Sequence, residues 1–142
     1  MTIPKGNYPN TFYRVSLKAI VRNEAGEVLL VREKGGSWSL PGGGIDHGES
    51  ETQALAREMH EEILLTQPFT AKPIGIQPRF VKAKNAWLLW IVYELDIEKP
   101  YEVGVGVDAD EVAFMDPRIF SRSTTVSEQF VYKWCVDRFH IV

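Results

Sequence analysis

Residues 43–65 of the chain read GGIDHGESETQALAREMHEEILL, a glycine turn followed by a helix that is rich in glutamate. At about 100° per residue, Glu58, Glu61 and Glu62 stand at i, i+3 and i+4, so their carboxylates project from one side of that helix. Acids this close repel one another, by roughly a few tenths of a kcal/mol per pair on an isolated helix. Taken alone, the cluster is either a solvated acidic face or a site that collects a cation.

The residues that precede the helix favour a binding site. Residues 38–44, WSLPGGG, are too rich in glycine for the interior of a strand or helix, and such a turn lets the backbone come close to a ligand. Ser50 followed by Gln53 predicts a capping box at the helix start, which leaves further backbone N–H groups available to an anion. A plain glycine turn is the alternative, but the turn and the acids together point to a ligand.

The same stretch resembles the Nudix box of the Nudix hydrolases, the family of MutT-like proteins. The matching positions are Gly43, Glu49, Arg57, Glu58, Met59, Glu61, Glu62 and Leu65. One position departs from the family pattern, because Leu64 stands where the pattern asks for a late glycine. We expect a helix that runs on or ends differently there, without loss of catalysis, because this position is not a metal ligand.

The resemblance implies a cation site with named ligands. Glu58 and Glu62 are the first expected ligands of Mg²⁺ or Mn²⁺, with Glu61 beside them and a carbonyl of Gly43 or its neighbour Gly42 completing the protein's share. Such hard cations take oxygen ligands and hold phosphate oxygens at the same time. They polarise a phosphoanhydride and lower the pKa of a bound water.

Two further roles follow from the resemblance. Arg57 is expected to orient Glu49 and the ligand carboxylates through charge-assisted hydrogen bonds rather than to touch substrate. The general base is left open between Glu61, inside the box, and Glu111, on a later loop where relatives often carry a catalytic acid. Glu111 is equally well interpreted as a solvated loop acid, because acids are common in turns.

Composition bounds the class of protein. The 142 residues, 44% of them hydrophobic, suit one compact domain spanning residues 1–142. We predict a cytoplasmic protein without a membrane partner, because the sequence has no 18-residue apolar run and no signal-peptide pattern at its start. Cys135, the single cysteine, fits a reducing compartment. A net charge of -3 with scattered lysines and arginines argues against a nucleic-acid partner.

Hydrophobic periodicity predicts the strands. Residues 14–21 alternate with period two and residues 28–31 follow a turn, which predicts an opening hairpin. Residues 74–81 read as a strand at a sheet edge or bend, because they contain or adjoin two prolines. Residues 86–95 are apolar on both faces, which is typical of a buried central strand. Residues 111–115 predict one more short strand.

The closing helix completes the predicted fold. Thr125 with Glu128 predicts a capping box there, with Phe130, Trp134 and Cys135 facing inward. A mixed sheet between the box helix and this C-terminal helix gives an α/β/α sandwich. The Nudix resemblance implies the same fold.

The function predicted from these observations is metal-dependent pyrophosphohydrolysis of a nucleoside diphosphate linked to another moiety. The substrate is a small molecule: a nucleoside triphosphate, a dinucleoside polyphosphate or a nucleotide sugar. A homodimer is left open. The alternative is a catalytically weak Nudix-fold module that binds a nucleotide as a sensor, although the complete set of box acids favours the enzyme.

Two groups of residues are candidates for contacts with the substrate. Aromatic residues could stack a base, although aromatics in strands are more often core; these are Phe12, Trp38, Phe80, Trp87 and Trp90. Basic residues could hold terminal phosphates, or could be surface charge; these are Arg32, Arg79, Lys82 and Lys84.

Overall fold

The computed structural model describes residues 13–33, 35–82 and 85–137 of the chain. The elements in chain order are β1 (Tyr13–Ile20), β2 (Val28–Arg32), β3 (Gly42–Gly44), α1 (Glu51–Ile63), β4 (Thr70–Val81), β5 (Ala86–Asp96), β6 (Glu111–Met115) and α2 (Val126–Cys135). A short 3-10 turn over Pro117–Phe120 precedes α2. Neither α-helix of this described part is long and apolar enough to span a membrane.

The main sheet has the strand order β3-β1-β5-β4. It is mixed, because β1 and β5 are parallel whereas the β1–β3 and β4–β5 pairs are antiparallel. The prediction that residues 86–95 form a central strand is confirmed, since β5 lies between β1 and β4. The predicted edge strand is also confirmed: β4 ends the sheet, and its pairing shifts register between Pro73 and Gly75.

The predicted hairpin of β1 and β2 is wrong. The two strands touch only beside their connecting turn, through the Arg22–Val28 bridge and the hydrogen bond from Leu29 N to Val21 O. Beyond it, β2 pairs with β6 in a separate antiparallel sheet. The physical reason is that residues 28–31 are buried throughout and supply side chains to two different hydrophobic clusters. A strand covered on both faces has no solvent-facing side and need not follow its neighbour in sequence.

The two helices pack on opposite faces of the main sheet. Met59 and Ile63 of α1 belong to the same hydrophobic cluster as Leu17 and Tyr93. A second cluster joins α2 to the other face and is formed by Ile20, Val92, Val131, Trp134 and Cys135, among others. The predicted α/β/α sandwich is therefore confirmed.

One capping box is confirmed and the other is wrong. Ser50 Oγ accepts from Gln53 N and Gln53 Oε1 accepts from Ser50 N, so α1 begins as predicted. At α2 the side chain of Thr125 makes no capping hydrogen bond. The carboxylate of Glu128 instead accepts from Ser123 Oγ and from the backbone N–H of Trp38, which ties the helix to the segment before β3.

Candidate active site

The two expected first ligands lie one turn apart on the inner side of α1. Glu58 and Glu62 are each only 8% exposed. The backbone N–H of Gly42 donates to Glu62 Oε1 at 3.1 Å. A Cβ on Gly43 would stand 2.6 Å from Glu58 Oε1, so only a glycine lets this carboxylate lie against the backbone of β3. The glycine turn thus brings both buried carboxylates close to backbone.

Burial disfavours the ionised forms of both carboxylates. It raises the pKa of Glu62 to about 7, although nearby Lys18 and the Gly42 N–H act in the opposite direction. It also raises the pKa of Glu58, with Arg57 acting in the opposite direction. A hard divalent cation would supply the missing counter-charge, because carboxylate oxygens are the ligands that such a cation takes.

Arg57 joins most of the box acids to one another. Its guanidinium donates to Glu49 at 2.8 and 2.9 Å, to Glu58 at 3.0 Å and to Glu61 at 3.2 Å. It also donates to the carbonyl of Gly44 at 3.0 Å. The hydrogen bonds from Arg57, with one from the backbone N–H of Asp46, lower the pKa of Glu49 to about 2. Glu49 is therefore a permanent anion that fixes the guanidinium.

The structure brings the expected ligands near one another without closing a coordination shell. Within the described ranges, no three acidic, histidine or cysteine side chains converge closely enough to hold a metal ion as they stand. The reason is visible in the contacts: Arg57 holds Glu58 and Glu61, whereas Glu62 turns to Gly42. The fit to a cation therefore rests on two buried, oxygen-donating carboxylates rather than on a complete ligand set.

A loop closes the C-terminal end of α1. The backbone N–H groups of Gly104, Gly106 and Asp108 donate to the last helical carbonyls, those of Ile63, Glu62 and Glu61 respectively. A Cβ on Gly106 would clash with the carbonyl of Glu61, so the loop needs glycine at this position to approach the helix. The loop places Asp108 close enough for its charge to raise the pKa of Glu62. Sequence reasoning assigned Asp108 no role, and only the alternate glycines before it hinted at this contact.

The departure from the box pattern falls at this helix end. Of the two alternatives expected there, a helix that runs on or one that ends differently, the first is wrong, because α1 ends at Ile63 and Leu64 takes φ 53° and ψ 31°. This left-handed conformation is the one that glycine adopts without strain and leucine does not. Leu64 thus ends the helix in a conformation that favours the glycine of the family pattern.

Two adjoining cavities flank Glu62. One, the acidic cleft, has a volume of about 520 Å³, and its charged lining within the described residues is entirely acidic: Glu33, Glu58, Glu62, Asp108 and Asp110. The other, the basic pocket, has a volume of about 320 Å³ and takes its positive charges from Lys18, Arg32 and Arg79. The two share Glu33, Glu62, Asp108 and Ala109 as a common wall.

Glu111, the alternative base, is paired with Arg32. Its Oε1 accepts from Arg32 Nη2 at 2.7 Å, and both side chains are substantially exposed, at 52% and 37%. The same Arg32 guanidinium lies over the ring of Trp38, at 4.7 Å from its centroid. The role of Glu111 stays a prediction, but its partner is a surface arginine.

The other aromatic candidates divide into core and surface. Trp90 is buried, as the statistical expectation favoured. Phe80 and Trp87 are exposed, with ring centroids 5.4 Å apart. Phe12 and Lys84 lie outside the described residues.

The chain is similar to known proteins over most of its length. A family model described as NUDIX domain matches residues 12–130. The RNA pyrophosphohydrolase of Shewanella loihica is 33% identical over 84 residues, 58% of this chain and 42% of that protein. The RNA pyrophosphohydrolase of Ruthia magnifica is 49% identical over 55 residues, 38% of this chain and 31% of that protein. The chain thus matches less than half the length of these relatives.

Solved structures agree on the fold. The MutT protein of Methanosarcina mazei has a TM-score of 0.68 at 23% identity, over 95% of this chain and 100% of that chain. The ORF135 protein of E. coli has a TM-score of 0.69 at 16% identity, over 96% of this chain and 98% of that chain. At these identities the likeness concerns the fold alone.

Proposed function

This chain belongs to the Nudix family, as its box predicted, and on that premise we propose that it is a metal-dependent pyrophosphohydrolase. Its substrate is a nucleoside diphosphate linked to another moiety, and the reaction cleaves a phosphoanhydride bond. The observation that carries the proposal is the acidic cleft, whose charged lining is acidic and includes the buried carboxylates of Glu58 and Glu62. A fold has little reason to bury two acids there unless a cation joins them.

The residues that would hold Mg²⁺ or Mn²⁺ are Glu58 and Glu62, with Glu61 and a carbonyl of Gly43 beside them. When bound, such a cation polarises the phosphoanhydride and makes a bound water easier to deprotonate. Arg57 positions the carboxylates by holding Glu58 and Glu61 at fixed distances. The Gly42 N–H does the same for Glu62.

Glu61 is the general base that the geometry supports over Glu111. Glu61 is on α1 beside Glu58 and Glu62, whereas Glu111 is paired with Arg32 at the surface. A general base contributes about 10²- to 10⁴-fold in rate, so Glu61→Gln should lower turnover by that amount. Glu111→Gln should leave turnover within a few fold at saturating metal. The opposite pattern, with a flattened rise of rate with pH in Glu111→Gln alone, would assign the base to Glu111.

A panel of substrates tests the identity of the substrate. It includes an RNA, because the relatives are named RNA pyrophosphohydrolases. The panel holds a nucleoside triphosphate, a dinucleoside polyphosphate, a nucleotide sugar and an RNA oligonucleotide with a 5′-triphosphate. Each is incubated with the chain in Mg²⁺, in Mn²⁺ and in EDTA, and products are separated by anion-exchange chromatography. We expect metal-dependent release of phosphate, pyrophosphate or nucleoside monophosphate from at least one member.

Two variants test whether turnover depends on the expected metal ligands. Glu58→Gln removes an expected ligand, and Glu98→Gln removes an exposed acid that follows β5. Turnover should vanish in the first and persist in the second. Nucleotide binding without turnover in any metal would instead favour the sensor module, the second candidate. A single domain over residues 1–142, a cytoplasmic location and a homodimeric state stay predictions.

A further inference from the structure

Arg79 is a half-buried arginine without a counter-ion in the described part of the chain. Its guanidinium carbon lies 5.4 Å from the ring centroid of Trp90 and 5.7 Å from that of Phe130. Its Nε is buried and has no hydrogen-bond partner there. Burial lowers the pKa of Arg79 below its usual value. The charge is therefore partly desolvated, and its assigned contacts within the described residues are two aromatic faces.

Other arginines have hydrogen-bond acceptors within the chain. Arg57 pairs with box acids, Arg32 with Glu111 and Arg118 with Asp116, and Arg14 and Arg22 donate to backbone carbonyls. Packing between two rings stabilises a cation, so a purely structural role for Arg79 is the alternative. A buried donor without an acceptor is destabilising, which opposes that gain. An anion in the pocket would offset the charge through the terminal nitrogens of the guanidinium, which, unlike Nε, are not buried without a partner.

Lys18 faces the same pocket from β1, which lies on the other side of β5 from β4. Its Nζ donates to the carbonyls of Leu40 and Gly42, both at 3.2 Å, and lies 5.0 Å from the centroid of the Trp90 ring. An ammonium has three donors, so one remains for a ligand. Lys18 on β1 pairs with Val92, and Arg79 on β4 pairs with Leu88. Since Leu88, Trp90 and Val92 alternate along β5, both cations stand on the face of the sheet that carries Trp90.

The position of the basic pocket relative to the acidic cleft defines what can bind. The two cavities share the wall that contains Glu62. A molecule that places two phosphates against a cation in the acidic cleft can therefore reach Arg79 and Lys18 with a further group. An anionic group would offset the desolvation of the guanidinium, although the shared wall also brings the carboxylates of Glu33, Glu62 and Asp108 into the pocket.

We propose that the basic pocket binds a third phosphate of the substrate, with Arg79 as the anchor and Lys18 as the second donor. The preferred substrates are then nucleoside triphosphates and other polyphosphates, over nucleotides whose diphosphate is linked to an uncharged sugar. The identity of the substrate rests on the proposed function. The anion site itself does not, because it needs neither a metal nor turnover.

Inorganic tripolyphosphate tests the anion site directly. Isothermal titration calorimetry in EDTA measures its dissociation constant for the wild-type chain, Arg79→Gln, Arg79→Lys and Lys18→Met. Arg118→Gln, which removes an exposed arginine of a surface ion pair, is the matched control. We expect Arg79→Gln to weaken binding at least tenfold, Arg79→Lys to restore part of it, and Lys18→Met to weaken it less. Wild-type affinity in both Arg79→Gln and Lys18→Met would overturn the proposal.

Thermal unfolding separates a binding role from a packing role. If Arg79 serves a ligand, Arg79→Gln removes an uncompensated charge and should leave the unfolding midpoint in EDTA unchanged or raised. Tripolyphosphate should then raise the midpoint of wild type and of Arg118→Gln, but not that of Arg79→Gln. A lowered midpoint of Arg79→Gln together with an undiminished shift on tripolyphosphate would assign Arg79 to packing alone.

Substrate preference links the site to turnover. The ratio of kcat/KM for a nucleoside triphosphate to that for a nucleotide sugar should fall at least tenfold in Arg79→Gln and should keep its wild-type value in Arg118→Gln. If wild type turns over no substrate, the proposed function fails while the calorimetry still decides the anion site. If wild type is active and Arg79→Gln alters neither preference nor tripolyphosphate binding, the subsite fails and the proposed function stands.

Discussion

The acidic cleft and the basic pocket are neighbours that share one wall but differ in charge, because the pocket adds three cations to the acids of the shared wall whereas the cleft adds further acids. The cleft concentrates carboxylates around Glu58 and Glu62, whereas the pocket holds the positive charges of Lys18, Arg32 and Arg79. In each cavity some of the charge is buried beyond what its internal partners compensate. Each is therefore suited to an external ion of the opposite sign.

Two arginines, Arg57 and Arg79, illustrate the difference between the cavities. Arg57 lies among the box acids and donates five hydrogen bonds to them and to Gly44. In the described residues, Arg79 has aromatic neighbours and no carboxylate partner. The chain thus compensates charge internally where side chains must be held in position, and leaves it uncompensated where a ligand can supply the counter-charge.

The largest effect is expected from Glu62→Gln, which should disable the cleft and spare the pocket. The substitution keeps the shape and the acceptor for Gly42 but removes a charge from the cation site. Turnover should fall by about 10³-fold, because a metal contributes several kcal/mol of charge stabilisation. Tripolyphosphate binding in EDTA should be unchanged or tighter. Wild-type-like turnover at limiting Mg²⁺ would remove Glu62 from the ligand set.

The second prediction concerns the pH dependence of the stability of the metal-free protein. Burial raises the pKa of Glu62 from 4.5 to about 7, so the folded state binds this proton more tightly than the unfolded state does. The resulting stability is present below pH 4.5 and is lost as the pH rises towards 7. In EDTA, urea unfolding of wild type should lose up to about 3 kcal/mol relative to Glu62→Gln across that window.

The control for this prediction is the cation itself. At pH 7.5, Mg²⁺ or Mn²⁺ should restore stability to wild type and have little effect on Glu62→Gln. Stability curves that run parallel from pH 4.5 to 7.5 for the two proteins would show that burial of Glu62 does not disfavour its charge.

The third prediction compares the two arginines by the same conservative change. Arg57→Lys keeps the charge but loses the planar fork that reaches Glu49, Glu58 and Glu61 together. We expect turnover to fall about 10- to 100-fold, as for other groups that orient metal ligands, with a higher Mg²⁺ requirement. Arg79→Lys should leave the Mg²⁺ requirement unchanged. An unaltered Mg²⁺ dependence in Arg57→Lys would mean that the arginine does not position the ligands.

The cleft was predictable from sequence because its main parts are local. A glycine turn and a helix with acids at i, i+3 and i+4 are encoded within residues 38–65, and the capping box fixes where that helix begins. Glu58, Glu62 and Arg57 follow from that pattern once the helix is placed. Asp108 does not, because it reaches Glu62 only through the loop that closes the helix end.

The pocket was not predictable because its parts are distant in sequence. Lys18, Arg79 and Trp90 come from three strands, and only the register of the sheet places them on one face. In sequence, Lys18 is simply a polar residue in an alternating strand, and Arg79 was one of four equivalent basic candidates. The hairpin error has the same origin, since the choice of β6 as the partner of β2 depends on the packing of both buried faces.

The smallest effect is expected from Leu64→Gly, at the helix end that supports the cleft. Leu64 is left-handed and 44% exposed, so glycine should relieve backbone strain of about 1–2 kcal/mol against an entropic loss of about 0.5–1 kcal/mol. Urea unfolding should show a net gain of up to about 1.5 kcal/mol. Asn85→Gly is the matched control, because Asn85 is also left-handed at φ 46° and asparagine tolerates that conformation better; it should gain less.

Turnover of Leu64→Gly should stay within a few fold of wild type, because the substitution removes no ligand and no hydrogen-bond donor from the cleft. The loop that carries Asp108 is held by backbone hydrogen bonds to Glu61, Glu62 and Ile63, which the substitution leaves in place. A Leu64→Gly variant that gains activity in an otherwise silent protein would show that the leucine is inactivating. The wild-type chain would then be a nucleotide-binding module whose cleft and pocket recognise a polyphosphate without cleaving it.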